Sequence, residues 1–270
     1  MPVLRNSDVE IFTQQLEAAP SHWFRNADAD ELYFVHAGDG ELDTDFGRLR
    51  YRTGDYLLIP RGTVYRMEPA SRTWLLGMQA FSEFRFPDRG MIGQHALFDP
   101  AVLRTPEPDA ARIHEQLHTV KSGEEFELQV LRMGEITRVF YPTPPITTMG
   151  WKGTLSVLAL NVDDIRPISS DRYHLPPSAH TTFLADGFVV CSFLPRPLEN
   201  GDPGAMKVPF YHSNIDFDEV LFYHAGDFFS RKGIAPGMLT FHPLGIHHGP
   251  QPGAEERTSK LTHYWESWRN

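Results

Sequence analysis

The chain has 270 residues, of which 41% are hydrophobic, 12% aromatic and 22% charged, the balance of a folded globular protein rather than a disordered one. Its 25 Lys and Arg stand against 35 Asp and Glu, a formal charge of -10 that repels a phosphate backbone and excludes nucleic acid as an expected partner. Apolar runs such as 156–160 and 188–191 fall far short of the roughly 20 residues of a membrane helix. The start Met1-Pro2-Val3-Leu4-Arg5-Asn6 lacks an apolar leader core and Cys191 has no intrachain partner, so a cytoplasmic protein with no membrane partner is expected.

In chain order, Ser7 or Asp8 is placed to cap a helix carrying Ile11, Phe12 and Leu16. Strand-length apolar or alternating runs follow at 31–35, 56–59 and 74–78. Pro87, Asp99-Pro100, Pro106-Glu107-Pro108 and Ser122-Gly123 then interrupt the pattern, with a second helix predicted over 108–120. Strands resume at 127–131, 154–160, 188–193, 220–223 and 238–241. The 22 prolines, clustered at 141–145 and 175–177, rule out long helices through most of the chain. Many short strands with turn residues between them predict an all-β fold, a sandwich or barrel with few short helices.

The chain also repeats itself. Residues 24–39 align without gaps to residues 212–227, with nine of 16 positions identical. Gly54, Pro60 and Gly62 then recur at the same internal spacing as Gly237, Pro243 and Gly245. Two copies of one β domain are predicted, with the linker in the interrupted stretch. Histidine is uneven as well: seven of the 13 fall between His174 and His248.

The spacings resemble the two cupin motifs. His212, Asn214, Glu219 and Gly226 match the first, with asparagine in place of its second histidine, and Gly237, Pro243, Gly245 and His248 match the second. The resemblance implies a bicupin of two jelly-roll β-barrels: a degenerate, metal-free barrel over 1–100, a transition over 101–137, and a metal-bearing barrel over 138–270. At the ligand positions of the first half stand Phe24, Asn26, Glu31 and Tyr65, which lack both imidazoles. In the second half, two neutral imidazoles and one carboxylate leave open coordination positions, an arrangement suited to non-haem Fe(II) and dioxygen. Asp218 competes with Glu219, but only Glu219 keeps the six-residue spacing to Gly226 that Glu31 and Gly38 repeat.

A narrower resemblance runs through Trp151-Lys152-Gly153, Tyr173-His174-Leu175-Pro176-Pro177-Ser178, Tyr211-His212-Ser213-Asn214 and the segment from His242 to His248-Gly249-Pro250. This second half is similar to homogentisate 1,2-dioxygenase and its bacterial relatives, and the first half to that family's metal-free barrel. The resemblance implies an Fe(II) enzyme that opens a hydroquinone-type ring with both atoms of dioxygen. His212, Glu219 and His248 would be the iron ligands, His174 the acid-base histidine and His242 a second histidine beside the substrate. A phenol near the pKa of tyrosine costs about 4 kcal/mol to ionise at neutral pH, which metal coordination and the His174 imidazole would offset. His180 and His247 are candidates for holding a ligand ring in place.

Two departures separate the chain from that family. The tyrosine that helps hold the substrate carboxylate falls on Phe228, and Arg172, Arg196 and Arg231 are the alternative anion partners. The chain is also expected to lack that family's long N-terminal extension and most of its segment beyond His248-Gly249-Pro250, parts that contribute to assembly there, so a homo-oligomer is expected but the family's own subunit number is not carried over. The expected partners are a small aromatic substrate and dioxygen. The alternatives are a related cupin dioxygenase acting on gentisate, hydroquinone or another phenolic, a non-catalytic ligand-binding cupin, and a zinc or manganese isomerase or hydrolase using the same three ligands.

Overall fold

The computed structural model describes residues 2–88, 97–146, 155–172, 175–196, 202, 204, 211–226 and 232–253. The chain divides into two compact units, Met1–Arg166 with Thr181–Val190, and Pro167–His180 with Cys191–Asn270. The fold is all-β, and α1 (Ala110–His118) is the one α-helix among the described residues.

The first unit is built from two six-stranded sheets. One has the order β1 (Leu4–Arg5), β2 (Val9–Leu16), β9 (Thr73–Ala80), β4 (Asp30–Ala37), β7 (Asp55–Ile59), β12 (Leu158–Asn161). The other runs β11 (Glu135–Tyr141), β10 (Phe126–Arg132), β3 (Trp23–Asn26), β8 (Val64–Pro69), β5 (Asp39–Thr44), β6 (Gly47–Arg52). Alternate residues of each strand face inward. Tyr33 and Val35 of β4, Leu57 and Ile59 of β7 and Leu75 of β9 meet Leu42, Leu49, Tyr51, Tyr65 and Met67 of the opposite sheet in one core. Glu31 has the parity of Tyr33 and Val35, so it too points into this interior.

The outer face of β4 is covered as well, which is why nearly the whole strand is buried. Phe34 packs on Tyr56, and Tyr56 on Phe183 of β13 (Thr181–Ala185). Phe84, Phe86 and Phe98 complete this aromatic layer, and Phe188 of β14 (Phe188–Cys191) packs edge-on to Phe84.

Two expectations need correction here. The segment carrying Ile11, Phe12 and Leu16 is strand β2, not a helix, because all eight of its residues pair with β9. Phe12 lies opposite Gly77, whose missing side chain leaves room for the ring, and stands edge-on to Tyr33 at 5.9 Å. Asn6 shapes the entry, its side-chain oxygen accepting from the backbone N–H groups of Asp8 and Val9, so the polar cluster forms a turn rather than a helix cap. The second correction concerns the domain limits of 1–100, 101–137 and 138–270. Residues 101–166 belong to the first unit, because β10 pairs in parallel with β3 and β12 pairs with β7. The helix predicted over 108–120 is present as α1, capped by Asp109, which accepts from the N–H of Arg112. Arg112 in turn grips both carboxylate oxygens of Asp43 on β5.

The join between β7 and the later strands rests on Asp55, whose side chain is wholly buried. It accepts from the N–H of Arg52 and from Asn161 Nδ2, each at 2.8 Å, and pairs with Arg104 at 2.6 Å. Asp55→Ala takes from Arg104 its buried carboxylate and from Asn161 Nδ2 one of its two acceptors, so it is expected to cost about 3 kcal/mol in urea unfolding. A loss within experimental error of zero would refute that role for Asp55.

Candidate metal centre

In the second unit, β15 (Glu219–Phe222) and β16 (Leu239–His242) form an antiparallel pair that sets Glu219 directly opposite His242. Beyond the strands, His212 and His248 form an isolated antiparallel bridge, exchanging N–H to carbonyl bonds of 2.9 and 2.8 Å. The first unit repeats this plan: Glu31 lies opposite Ile59, and Phe24 opposite Tyr65. Smaller details recur too. The N–H of Gly62 donates to the Asn26 carbonyl, and that of Gly245 to the Asn214 carbonyl, both at 2.7 Å. Asp30 accepts from the N–H of Arg61, and Asp218 from that of Leu244. Asp218, the competing acid in the sequence, therefore secures the turn that carries His248. That turn needs Gly245 in the left-handed region, at φ 74°.

The side chains converge as follows. His242 Nδ1 lies 2.7 Å from Glu219 Oε2, and His248 Nε2 lies 3.5 Å from the same oxygen. The rings of His242 and His248 are stacked with centroids 4.4 Å apart, and His212 stands across His248 at 4.4 Å and 64°. Glu219, His242 and His248 each offer a ligand atom within 4.8 Å of the others. The expected triad of His212, Glu219 and His248 shares two members with this group. The structure groups His242 with them, while His212 packs edge-on against His248.

These residues fit a metal. The Ile246 carbonyl, 2.9 Å from His248 Nδ1, only accepts, so Nδ1 carries the proton and the lone pair resides on Nε2. That Nε2 is buried, has no hydrogen-bond partner and faces the Glu219 carboxylate. A backbone bond on one ring nitrogen and an unused lone pair on the other is how metal-binding histidines are held. Two imidazoles and a carboxylate suit iron, zinc or manganese.

His174, Phe228 and Arg231 lie outside the described residues. Arg172 is paired with Asp202 at 3.1 Å. His180 is fully buried against Phe193, and His247 is exposed.

In the first unit the corresponding carboxyl is sealed. Glu31 is 1% exposed and accepts from the hydroxyls of Tyr33 and Tyr65, each at 3.0 Å. Burial pushes its pKa up to about 7, outweighing the hydrogen bonds from Tyr65 and Tyr33 that favour the charged form. The sequence reading missed Tyr33. Its signal was the period-2 parity with Glu31, two residues away on one strand face.

Comparison with known proteins places the chain in a lineage. Residues 5–155 match the family model described as the N-terminal region of homogentisate 1,2-dioxygenase. The chain belongs to the homogentisate 1,2-dioxygenase family. It is 35% identical over 250 residues to "Putative dioxygenase SSO1533" of Saccharolobus solfataricus, covering 91% of this chain and 62% of that protein. It is 26% identical to homogentisate 1,2-dioxygenase of Sinorhizobium fredii, covering 93% of this chain and 57% of that one. For homogentisate 1,2-dioxygenase of Bradyrhizobium diazoefficiens the figures are 27%, 87% and 52%. The chain thus spans between about half and three fifths of the length of these family relatives. No helix among the described residues is long and apolar enough to cross a membrane.

Proposed function

We propose that the protein is a non-haem Fe(II) dioxygenase that opens the ring of a homogentisate-like hydroquinone, a reaction of the homogentisate plus dioxygen to maleylacetoacetate type. The observation that carries this reading is the buried, unpartnered His248 Nε2 aimed at Glu219, with two further imidazoles beside it. His212, Glu219 and His248 would hold the metal. A bound ferrous ion supplies Lewis acidity and a path for electrons between ring and dioxygen.

His242 serves this reading through the proton on Nδ1, which donates to Glu219 Oε2 and fixes the carboxylate's direction. His174 takes the phenolic proton as the substrate binds. The buried flank of His242 and the tight Pro243–His248 turn keep the imidazoles oriented before substrate arrives, which lowers the reorganisation the reaction requires. Phe228, with no hydroxyl to donate, favours a second substrate class within the same chemistry: gentisate, plain hydroquinone or another phenolic that needs no partner at that position.

The test is to load the purified protein with ferrous iron under anaerobic conditions and then record oxygen uptake with homogentisate, gentisate and hydroquinone. One dioxygen consumed per ring opened, with at least one of the three, is the expected result. Iron bound at full occupancy with no uptake on any of them overturns the reading in favour of a non-catalytic or zinc-type cupin.

A further inference from the structure

The first unit carries a second histidine pair, far from the Glu219 group in sequence. Helix α1 contains His114-Glu115-Gln116-Leu117-His118, which sets two imidazoles one turn apart on a single helix face. Both are exposed, and the helix is held from its other side by buried Ile113 and by Arg112 on Asp43. The two rings lie face to face, with centroids 3.9 Å apart and planes 25° from parallel. His118 Nδ1 lies 2.8 Å from the His114 carbonyl oxygen. Because a carbonyl only accepts, that nitrogen carries the proton, and the lone pair is at Nε2. The neighbouring ring and the backbone bond together pre-orient His118 as metal-binding histidines are oriented.

We propose that His114 and His118 form a surface site for a borderline divalent ion of the zinc, nickel or copper class, separate from the ring-opening centre. Imidazole selects these ions over the oxygen-seeking calcium and magnesium. The spacing is that of the helical His-Glu-x-x-His pair that binds zinc on one helix face. Among the described residues no third side chain joins this pair in a group of three, so the remaining positions go to water or an outside ligand. The site binds an ion and carries no hydrolytic step. Clamping one helical turn, the ion stabilises α1 against opening.

The experiment uses the full chain, stripped of metal and dialysed at neutral pH against zinc chloride, with bound zinc counted by atomic absorption. Two tight equivalents are expected for the unaltered protein, one for the His114→Ala/His118→Ala double variant and one for His248→Ala. Zinc should also slow amide hydrogen exchange in α1 of His248→Ala and leave exchange in the double variant unchanged. The double variant should open substrate at the unaltered rate once loaded with iron. A double variant that binds as much zinc as the unaltered protein overturns the proposal, as does His248→Ala that binds none. Neither outcome bears on ring opening, which is read by oxygen uptake.

Discussion

His248→Ala is expected to abolish iron retention and reduce oxygen uptake to background. The reason is local. His248 is fixed by three constraints: the backbone bridge to His212, the Nδ1 bond to the Ile246 carbonyl, and a turn that Asp218 and Gly245 hold in place. Its Nε2 lone pair is buried with no hydrogen bond, and burying a polar atom without one costs free energy that only a partner in that space recovers. Glu219→Gln tests the same point from the other side, because it keeps the shape and removes the charge that a cation requires.

The two flanking imidazoles separate under the same assay. If His212 is a ligand and His242 orients Glu219, His212→Ala loses iron outright, whereas His242→Ala keeps it with binding weakened about 10- to 100-fold. The reverse pattern would put His242 in the ligand set, as its place within 4.8 Å of Glu219 and His248 allows. Iron content after desalting decides between them without any substrate.

How far the sequence carried this picture depends on the kind of constraint each residue obeys. The internal repeat was readable because turns need particular residues: Gly54, Pro60 and Gly62 recur as Gly237, Pro243 and Gly245, and the same backbone bonds recur with them. Aligning the halves was enough to put His248 where Tyr65 stands and His242 where Ile59 stands. The N-terminal strand was not readable, because Ile11, Phe12 and Leu16 fit a helical spacing equally well and only Gly77 on a strand some 60 residues away settles the matter. The prolines and Ser-Gly of 87–123 signalled a break, yet the chain beyond returns to the first barrel through the parallel pairing of β10 with β3. No local pattern encodes such long-range pairing. The pairing of His242 with Glu219 follows from strand register, which the repeat fixes only once Glu31 is known to face Ile59.

Glu31→Gln is expected to remove a pH dependence of stability that the first barrel otherwise carries. The folded carboxyl has its pKa raised from 4.5 to about 7, mainly by burial, so between those values the folded chain holds a proton that the unfolded chain has released. The stabilisation from this proton is complete below about pH 4.5, declines as pH rises and is gone above about pH 7. A difference of that size corresponds to about 3 kcal/mol across the window. Other groups titrate nearby, Asp43 among them, with its pKa also raised by burial to about 6. The comparison therefore uses the difference between variant and unaltered protein, in which those contributions cancel. Glutamine keeps an acceptor and a donor for Tyr33 and Tyr65 and has no charge to bury. Relative to the unaltered protein, its urea midpoint should thus climb from pH 5 to about pH 7 and level off above that. Parallel curves over that range would mean that Glu31 ionises in the folded barrel as it does in the unfolded chain, and that the two tyrosine hydroxyls compensate a buried charge in full. In that case the carboxyl of the first barrel would be a charged group retained without its metal, rather than a neutral one sealed into a packed core.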